Sequence, residues 1–418
     1  MSSPSPIDVT SHLIPAASDR PGNDPIFALN AEAQAARREG RRVVNASLGA
    51  LLNDDGTLAV LPSVTEAFRS VDPAAGASYA PIAGDAPFLA AVVEDVFGTG
   101  PLAGRAIAVA TAGGTGAVHH AVVNFLEPGQ ALTTASYYWG PYRTIAVHTG
   151  REVDTFRMFT DTGAFDLEAL ERSVAGTLER QGRALVILNS PCNNPTGHSL
   201  DDGEWTGLAR ILADAGRSAP VSLLVDLAYA RYGHAGSERW VEHLEGLVEH
   251  VPLLVAWSAS KAFTQYGSRV GALLAVVSDD RERDQVHNAL SFSCRGTWSN
   301  CNHLGILAIT SLLSDPERRA RVDVEREELR GLLDERVAAF NREARAAGLR
   351  TPRYEGGFFV AVFTPDAPAT VEAAKREGVF VVPMDGAVRV ALCSTPKDDV
   401  PYVVEVLARA VASAAGGR

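Results

Sequence analysis

The amino-acid sequence predicts an α/β protein. A mainly parallel, mixed sheet covered by helices on both faces is joined to a smaller α/β unit. Three observations predict it. Short continuous apolar runs recur between residues 106 and 277, separated in many places by helical patterns, as strands buried on both faces read. After residue 300 the texture changes: a long, highly charged helical pattern over 315–348 precedes three more apolar runs. And 418 residues, 46% hydrophobic and 21% charged, are enough for two domains with a large buried core.

Taken in order, residues 1–25 are rich in Ser, Pro and Asp and are expected to form a loose arm, with a helical pattern at 26–40. VVNASLGALLNDDGT (43–57) is an apolar run that ends in a turn signal. DAPFLAAVVEDVFG (85–98) has helical spacing. AIAVATA (106–112) reads as a strand, followed by GGTG and a helix over 117–126. Further strands are expected at 131–136, 184–190, 221–226, 253–260 and 270–277, with a helix at 166–181 among them. In the smaller unit GGFFVAVF (356–363), VFVVPM (379–384) and AVRVALC (387–393) alternate with two more helices.

Several function classes are excluded. Net charge is −12 and the basic residues are scattered, so there is no footprint for nucleic acid or an anionic membrane. No stretch of 18 uninterrupted apolar residues exists to span a bilayer. The opening MSSPSPIDVTSHLIPAASDRPGND lacks the basic start and apolar run of a signal peptide. Cys192, Cys294, Cys301 and Cys393 show neither CxxC spacing nor a neighbouring His pattern. A reduced, cytoplasmic protein without a metal site is expected.

Chemistry concentrates in a few segments. Lys occurs only at 261, 375 and 397, so a catalytic amine has three candidates. Lys261, in VAWSASKAFTQYGSRVG (255–271), follows an apolar strand, where α/β sheets place ligands. Partial burial there lowers an amine's pKa and favours Schiff-base chemistry. Ser258 and Arg269 flank it and suit a phosphate. Lys375 in VEAAKREG and Lys397 in TPKDD lie in polar surroundings and read as solvated. The loop ATAGGTGAV (110–118) leaves a strand and enters a helix, so its backbone N–H groups can cradle an anion. No Walker lysine follows it, and it lacks full GxGxxG spacing. Asp226 ends the apolar run VSLLVD, and a carboxylate there needs a cationic partner, such as a protonated pyridine nitrogen, or a structural role as a cap or ion pair.

NSPCNNPTGHSL (189–200) contains N-N-P-T-G and precedes Asp226 and Lys261 in that order. With these motifs, roughly residues 26–410 resemble the class I/II, fold-type I aminotransferases, in particular the aspartate and aromatic branch. The resemblance implies a fold-type I transferase that binds pyridoxal 5′-phosphate (PLP). Its expected parts are an N-terminal arm and part of the small domain (1–57), a large PLP-binding domain (58–310) and a small C-terminal domain (311–418). It implies that Lys261 is the Schiff-base lysine and general base, and that Asp226 pairs with the pyridine nitrogen. Tyr229 and Asn194 would hydrogen-bond the ring's phenolic oxygen, and Trp139 in SYYWGPY would stack on the ring. Gly113, Gly114, Thr115, Ser258 and Arg269 match the phosphate cup. Tyr79 resembles a tyrosine that reaches the phosphate of the neighbouring subunit, which implies a homodimer with shared active sites.

For the substrate, the resemblance implies that Arg389 clamps the α-carboxylate, with Gly49, Asn194 and Trp139 beside it. Arg295, in CRGTWSN, matches the position that binds a side-chain carboxylate from the neighbouring subunit. Two features depart from the pattern. Tyr142 follows Trp139 where a histidine commonly supports the pyridine-binding aspartate, and Cys301-Asn302 stands where a proline pair is usual. The expected activity is amino transfer between an L-amino acid (aspartate, glutamate or aromatic) and a 2-oxo acid such as 2-oxoglutarate. A β-lyase or eliminase on the same fold and a non-catalytic PLP-binding regulator are the alternatives; residues 1–25 are too short and Pro-rich for the latter's DNA-binding domain.

Overall fold

A computed structural model describes residues 12–18, 20–22 and 25–416. The expected arm over 1–25 therefore falls in large part outside the described residues.

A seven-stranded sheet forms the centre. Its spatial order is Ala106–Ala112, Val270–Val276, Leu253–Ser258, Val221–Asp226, Ala184–Asn189, Ala131–Ala135 and Glu152–Phe156. All pairings are parallel except the two made by Val270–Val276, which is antiparallel to both neighbours. The mixed, mainly parallel sheet is as expected. The five inner strands are buried along their whole length, which is why their sequences are continuous apolar runs rather than alternating ones. Helices cover both faces, and two separate apolar clusters lie against the sheet.

Three local differences from expectation have physical causes. Glu152–Phe156 is an edge strand with exposed and half-buried residues, so EVDTF carries no apolar run to mark it. The helix after the first strand begins at Gly113, not 117: the GGTG segment is its first turn, entered through Gly113 at φ +65°. The strand expected to run to 260 stops at Ser258. There the Ser258 hydroxyl accepts the Ser260 N–H at 3.1 Å and starts the one-turn helix Ala259–Ala262.

The second unit contains the antiparallel sheet Val382–Met384, Ala387–Ala391 and Phe359–Phe363, and the helices Ala367–Arg376 and Val400–Gly416. Val44–Asn45 pairs in parallel with Val379–Phe380, which ties the N-terminal segment to this unit. One apolar cluster joins Val44, Ala46, Leu51 and Ala59 to Leu333–Ala410 side chains, whereas Leu61 and Val64 belong to the sheet's cluster. At the other end the expected boundary after 310 falls inside the helix His303–Leu313, whose Leu312 and Leu313 pack with the large sheet, as does Val322. The core changes hands within the 31-residue helix Pro316–Ala346, where Leu333, Val337 and Phe340 face the second cluster. A continuous helix hides such a change because its charged spacing is uniform.

Candidate active site

A pocket opens at the carboxyl ends of the parallel strands. It is lined by Gly114, Thr115, Trp139, Asn189, Asp226, Ala228, Tyr229, Ser258, Ser260, Lys261 and Arg269. The reversal of Val270–Val276 brings Lys261 and Arg269 together: the chain leaves one strand at Ser258 and enters the next at Val270 on the same edge.

The Lys261 amine lies 5.1 Å from the centre of the Tyr229 ring. Burial lowers its pKa; the Asp226 carboxylate works against that shift and the Arg269 guanidinium adds to it. Asp226 ends its strand fully enclosed. Tyr142 donates its hydroxyl to Asp226 Oδ2 at 2.7 Å, and the Ala228 N–H donates to Oδ1 at 3.0 Å. Burial still pushes this carboxyl above its ordinary range, against those hydrogen bonds and the charge of Lys261. Tyr142 is itself fully buried, and burial followed by the Asp226 charge holds its phenol far above the ordinary value. The side chain that departs from the expected histidine is thus the one that supports Asp226.

Asn189 knits the strand ends together. Its side chain donates to the Asp226 carbonyl at 2.8 Å and accepts the Asn194 N–H at 2.6 Å. Asn194 in turn donates to the Tyr229 hydroxyl at 3.3 Å and accepts from Arg389 Nη1 at 3.3 Å. Arg389 is buried, donates to the Ser47 carbonyl at 2.7 Å, and stacks 4.3 Å over the Phe359 ring. Gly49 lies against the same ring: a Cβ there would sit 3.2 Å from Phe359 Cζ.

The anion cup has two halves. Ser258, Ser260 and Arg269 form one, with Ser258 Oγ donating to Ser260 Oγ at 2.9 Å and Arg269 Nη1 donating to it at 3.2 Å. Arg269 holds φ +55°, a left-handed conformation that costs a non-glycine residue about 1 kcal/mol and here aims its guanidinium at the helix start. The other half is that helix start, Gly113–Thr115. A Cβ on Gly113 would come within 2.5 Å of Arg269 Nη2, and its φ of +65° favours glycine there as well.

The structure does not bring Tyr79 and Arg295 to this pocket. Tyr79 is 89% exposed. Arg295 is exposed at the end of the helix Asp280–Thr297 and bonds to Ser299. Trp139 does line the pocket, edge-on to Tyr142 at 5.6 Å. The sequence reading missed Asn189, Ser260 and Phe359. Asn189 had a usable signal, as a polar residue that ends an apolar strand, and Ser260 stands two residues beyond one; Phe359 had none.

The family described as aminotransferase class I and II matches residues 41–407. An aromatic-amino-acid aminotransferase of Paracoccus denitrificans is 30% identical over 302 residues, 71% of this chain and 74% of that one. An aspartate aminotransferase of Pseudomonas aeruginosa is 28% identical over 376 residues, 86% and 90% of the two chains. Among solved structures, an aminotransferase from Anaerococcus prevotii superposes with a TM-score of 0.92 at 33% identity, covering 96% of this chain and 99% of that one. An aromatic-amino-acid aminotransferase from Burkholderia pseudomallei, covalently bound to pyridoxal phosphate, gives 0.78 at 25% identity, with 94% and 98% covered. The chain therefore belongs to the class I and II aminotransferases and is a PLP-dependent transaminase of fold type I, acting on amino and 2-oxo acids.

The donor set fits that cofactor. A buried amine can hold an aldehyde, a buried carboxyl can hold a cationic ring nitrogen, and Tyr229 with Asn194 can hold a phenolate oxygen. The Gly113–Arg269 cradle suits a phosphate dianion at a helix N-terminus. Among the described residues no group of His, Cys, Asp and Glu side chains could hold a metal ion, and no helix is long and apolar enough to cross a membrane.

Proposed function

We propose that the enzyme moves an amino group between an aspartate-, glutamate- or aromatic-type L-amino acid and a 2-oxo acid such as 2-oxoglutarate, with the site residues in the roles given above. The observation that carries this reading is the unbroken run of contacts from Arg389 through Asn194 to Tyr229, with the Lys261 amine over the Tyr229 ring. It sets a carboxylate fork and a proton-accepting amine on one amide–phenol pair.

PLP, when bound, supplies an aldehyde that joins an amine and a ring that accepts the electron pair of the α-carbon. Each side chain then has a task. Arg389 forks the α-carboxylate with two parallel N–H groups, and Phe359 beneath keeps the fork flat. Lys261 accepts the α-proton on Nζ and returns it; burial of its amine keeps it unprotonated nearer neutrality than an ordinary lysine. Asp226, fixed by Tyr142 and the Ala228 N–H, would keep a proton on the cofactor's ring nitrogen. Trp139 would stack on the ring, and the cup of Gly113, Gly114, Thr115, Ser258 and Arg269 would hold the phosphate.

The reading also includes a homodimer in which Tyr79 and Arg295 serve the neighbouring site. Exposed Tyr79, Ile82, Phe292 and Leu304 support it, being large apolar groups at the surface near those two residues in sequence. Four free cysteines support a cytoplasmic, reducing location. We propose as domains an N-terminal segment that belongs with the C-terminal unit and a central PLP-binding domain. A donor panel with 2-oxoglutarate, run on the native enzyme and on Arg295→Ala, tests the substrate reading. Selective loss of dicarboxylate turnover is expected; a donor profile that excludes both dicarboxylate and aromatic amino acids would overturn it.

A further inference from the structure

Among the described residues, two buried arginines have no task in the reaction described above, and both stand on the long helix Pro316–Ala346. Arg318 and Arg321 of this helix are exposed and pair with the carboxylates of Asp315 and Glu66. Arg326 and Arg336 are 8% and 0% exposed. A buried cation destabilises the fold unless its N–H groups meet acceptors. These two meet one carboxylate each, and otherwise backbone carbonyls at two places that matter to the site.

Arg326 grips the backbone under the lysine. Its Nε donates to the Ala262 carbonyl at 2.7 Å and its Nη1 to Asp323 Oδ1 at 2.6 Å, and the guanidinium lies 5.2 Å from the Phe263 ring centre. Ala262 closes the one-turn helix that carries Lys261. At Thr264 the chain turns left-handed, φ +52°, so no second helical turn follows to meet that carbonyl. The Lys261 carbonyl itself accepts the Tyr232 hydroxyl at 3.3 Å, and Tyr232 belongs to the second apolar cluster.

Arg336 grips the backbone under the carboxylate fork. Its Nη1 donates to the Cys393 carbonyl at 2.9 Å and the Leu392 carbonyl at 3.2 Å. Its Nη2 donates to the Leu52 carbonyl and to Asp54 Oδ1, both at 2.8 Å. Leu392–Ser394 is the turn that ends the strand bearing Arg389, and Leu52 follows Gly49 by three residues. The two stretches are laced together: the Ala391 N–H donates to the Ala46 carbonyl and the Leu52 N–H to the Cys393 carbonyl, both at 2.8 Å. Arg336 closes the far end of this ladder.

Ten residues separate the two arginines, about 15 Å of helix rise. Along the same stretch the helix passes from one core to the other. Val322 packs with the large sheet, Leu329 with both clusters and Leu333 with the second.

We propose that Arg326 and Arg336 are positioning residues that make this helix a strut, Arg326 setting the backbone under Lys261 and Arg336 the backbone under Arg389 and Gly49. One rigid element then carries the distance between the proton acceptor and the carboxylate fork. This rests on the roles given above to Lys261 and Arg389. The test uses the holoenzyme variants Arg326→Lys and Arg336→Lys, which keep the charge and replace the fork by one donor centre. Arg326→Lys is expected to lower kcat about tenfold, with a larger isotope effect from an α-deuterated donor and KM nearly native. Arg336→Lys is expected to raise KM about tenfold with kcat nearly native. Asp323→Asn and Asp54→Asn keep each arginine and neutralise its partner, which guards against loss of fold; the same split is expected at about threefold. In either pair, equal changes in kcat and KM, a reversed split or no change overturns the proposal. An unchanged KM in Arg389→Lys, or retained turnover in Lys261→Ala, overturns instead the roles on which it rests.

Discussion

The cofactor pocket and the surface that carries Tyr79 and Arg295 are built on opposite terms. In the pocket several polar side chains are bonded to one another inside the chain. Asp226 takes Tyr142 and Ala228, Asn194 links Tyr229 to Arg389, and Arg389 is buried on Phe359. On the surface Tyr79 is 89% exposed, and among the described residues Arg295 bonds to Ser299, four positions on. Enclosed groups are fixed by the cost of leaving a buried polar atom unpaired. Exposed groups are fixed by little in their own chain, which agrees with the proposal that these two side chains work in another subunit.

Substitutions can break or sharpen this contrast. Lys261→Ala should have the largest effect, removing covalent cofactor attachment and at least about 10³-fold of turnover, since general base and anchor go together. Mass spectrometry after reductive trapping and single-turnover kinetics would check it. Asp226→Asn comes next, at about 10²- to 10³-fold in kcat, by removing a buried charge aimed at the ring nitrogen; retained kcat would sink the assignment. Arg389→Lys should weaken capture of the α-carboxylate by about 10- to 100-fold in kcat/KM, because a point charge replaces a fork. Arg295→Ala should cost about tenfold for dicarboxylate donors and nothing for aromatic ones, an effect visible only in the donor comparison. Smallest is Tyr142→Phe, a loss of about 1 kcal/mol of support to Asp226. It should shift the pH at which bound cofactor changes absorbance while leaving the unfolding temperature of the apoenzyme nearly unmoved.

The three lysines offer an internal control with a defined sign. Burial holds the Lys261 amine below the ordinary lysine value. Glu32 and Glu372 raise Lys375 despite partial burial, and Glu335 raises Lys397. As pH rises from neutral, Lys261 should lose its proton first. In the apoenzyme a small aldehyde plus reductant should therefore label Lys261 ahead of the other two, as peptide mapping would show.

Much of this was legible in the sequence because the inner strands are buried on both faces, and such strands must be written in apolar residues. The same logic exposed Lys261 and Asp226, polar residues standing where an apolar run ends. It failed at Glu152–Phe156, whose edge position leaves it half polar, and at Gly113–Gly116, where glycines needed for a close approach look like a loop. The resemblance pointed to Tyr142 as the side chain standing where a histidine commonly supports this aspartate, but its bond to Asp226, 84 residues away, is visible only in the folded sheet. Neither reading placed the change of core within Pro316–Ala346, since one helix serves both clusters.

The reversed strand Val270–Val276 also joins a local half of the cup to a distant one. Lys261, Ser258 and Arg269 lie within twelve residues and can form their half of the cup locally. The Gly113 half arrives only when Ala106–Ala112 pairs with Val270–Val276, across more than 150 residues of chain. Gly271 and Gly113 then approach so closely that a Cβ on Gly271 would stand 2.5 Å from the Gly113 carbonyl carbon. Contacts of that separation carry a loop-closure cost that the local half does not. The complete phosphate cup therefore exists only where Ala106–Ala112 is paired with Val270–Val276.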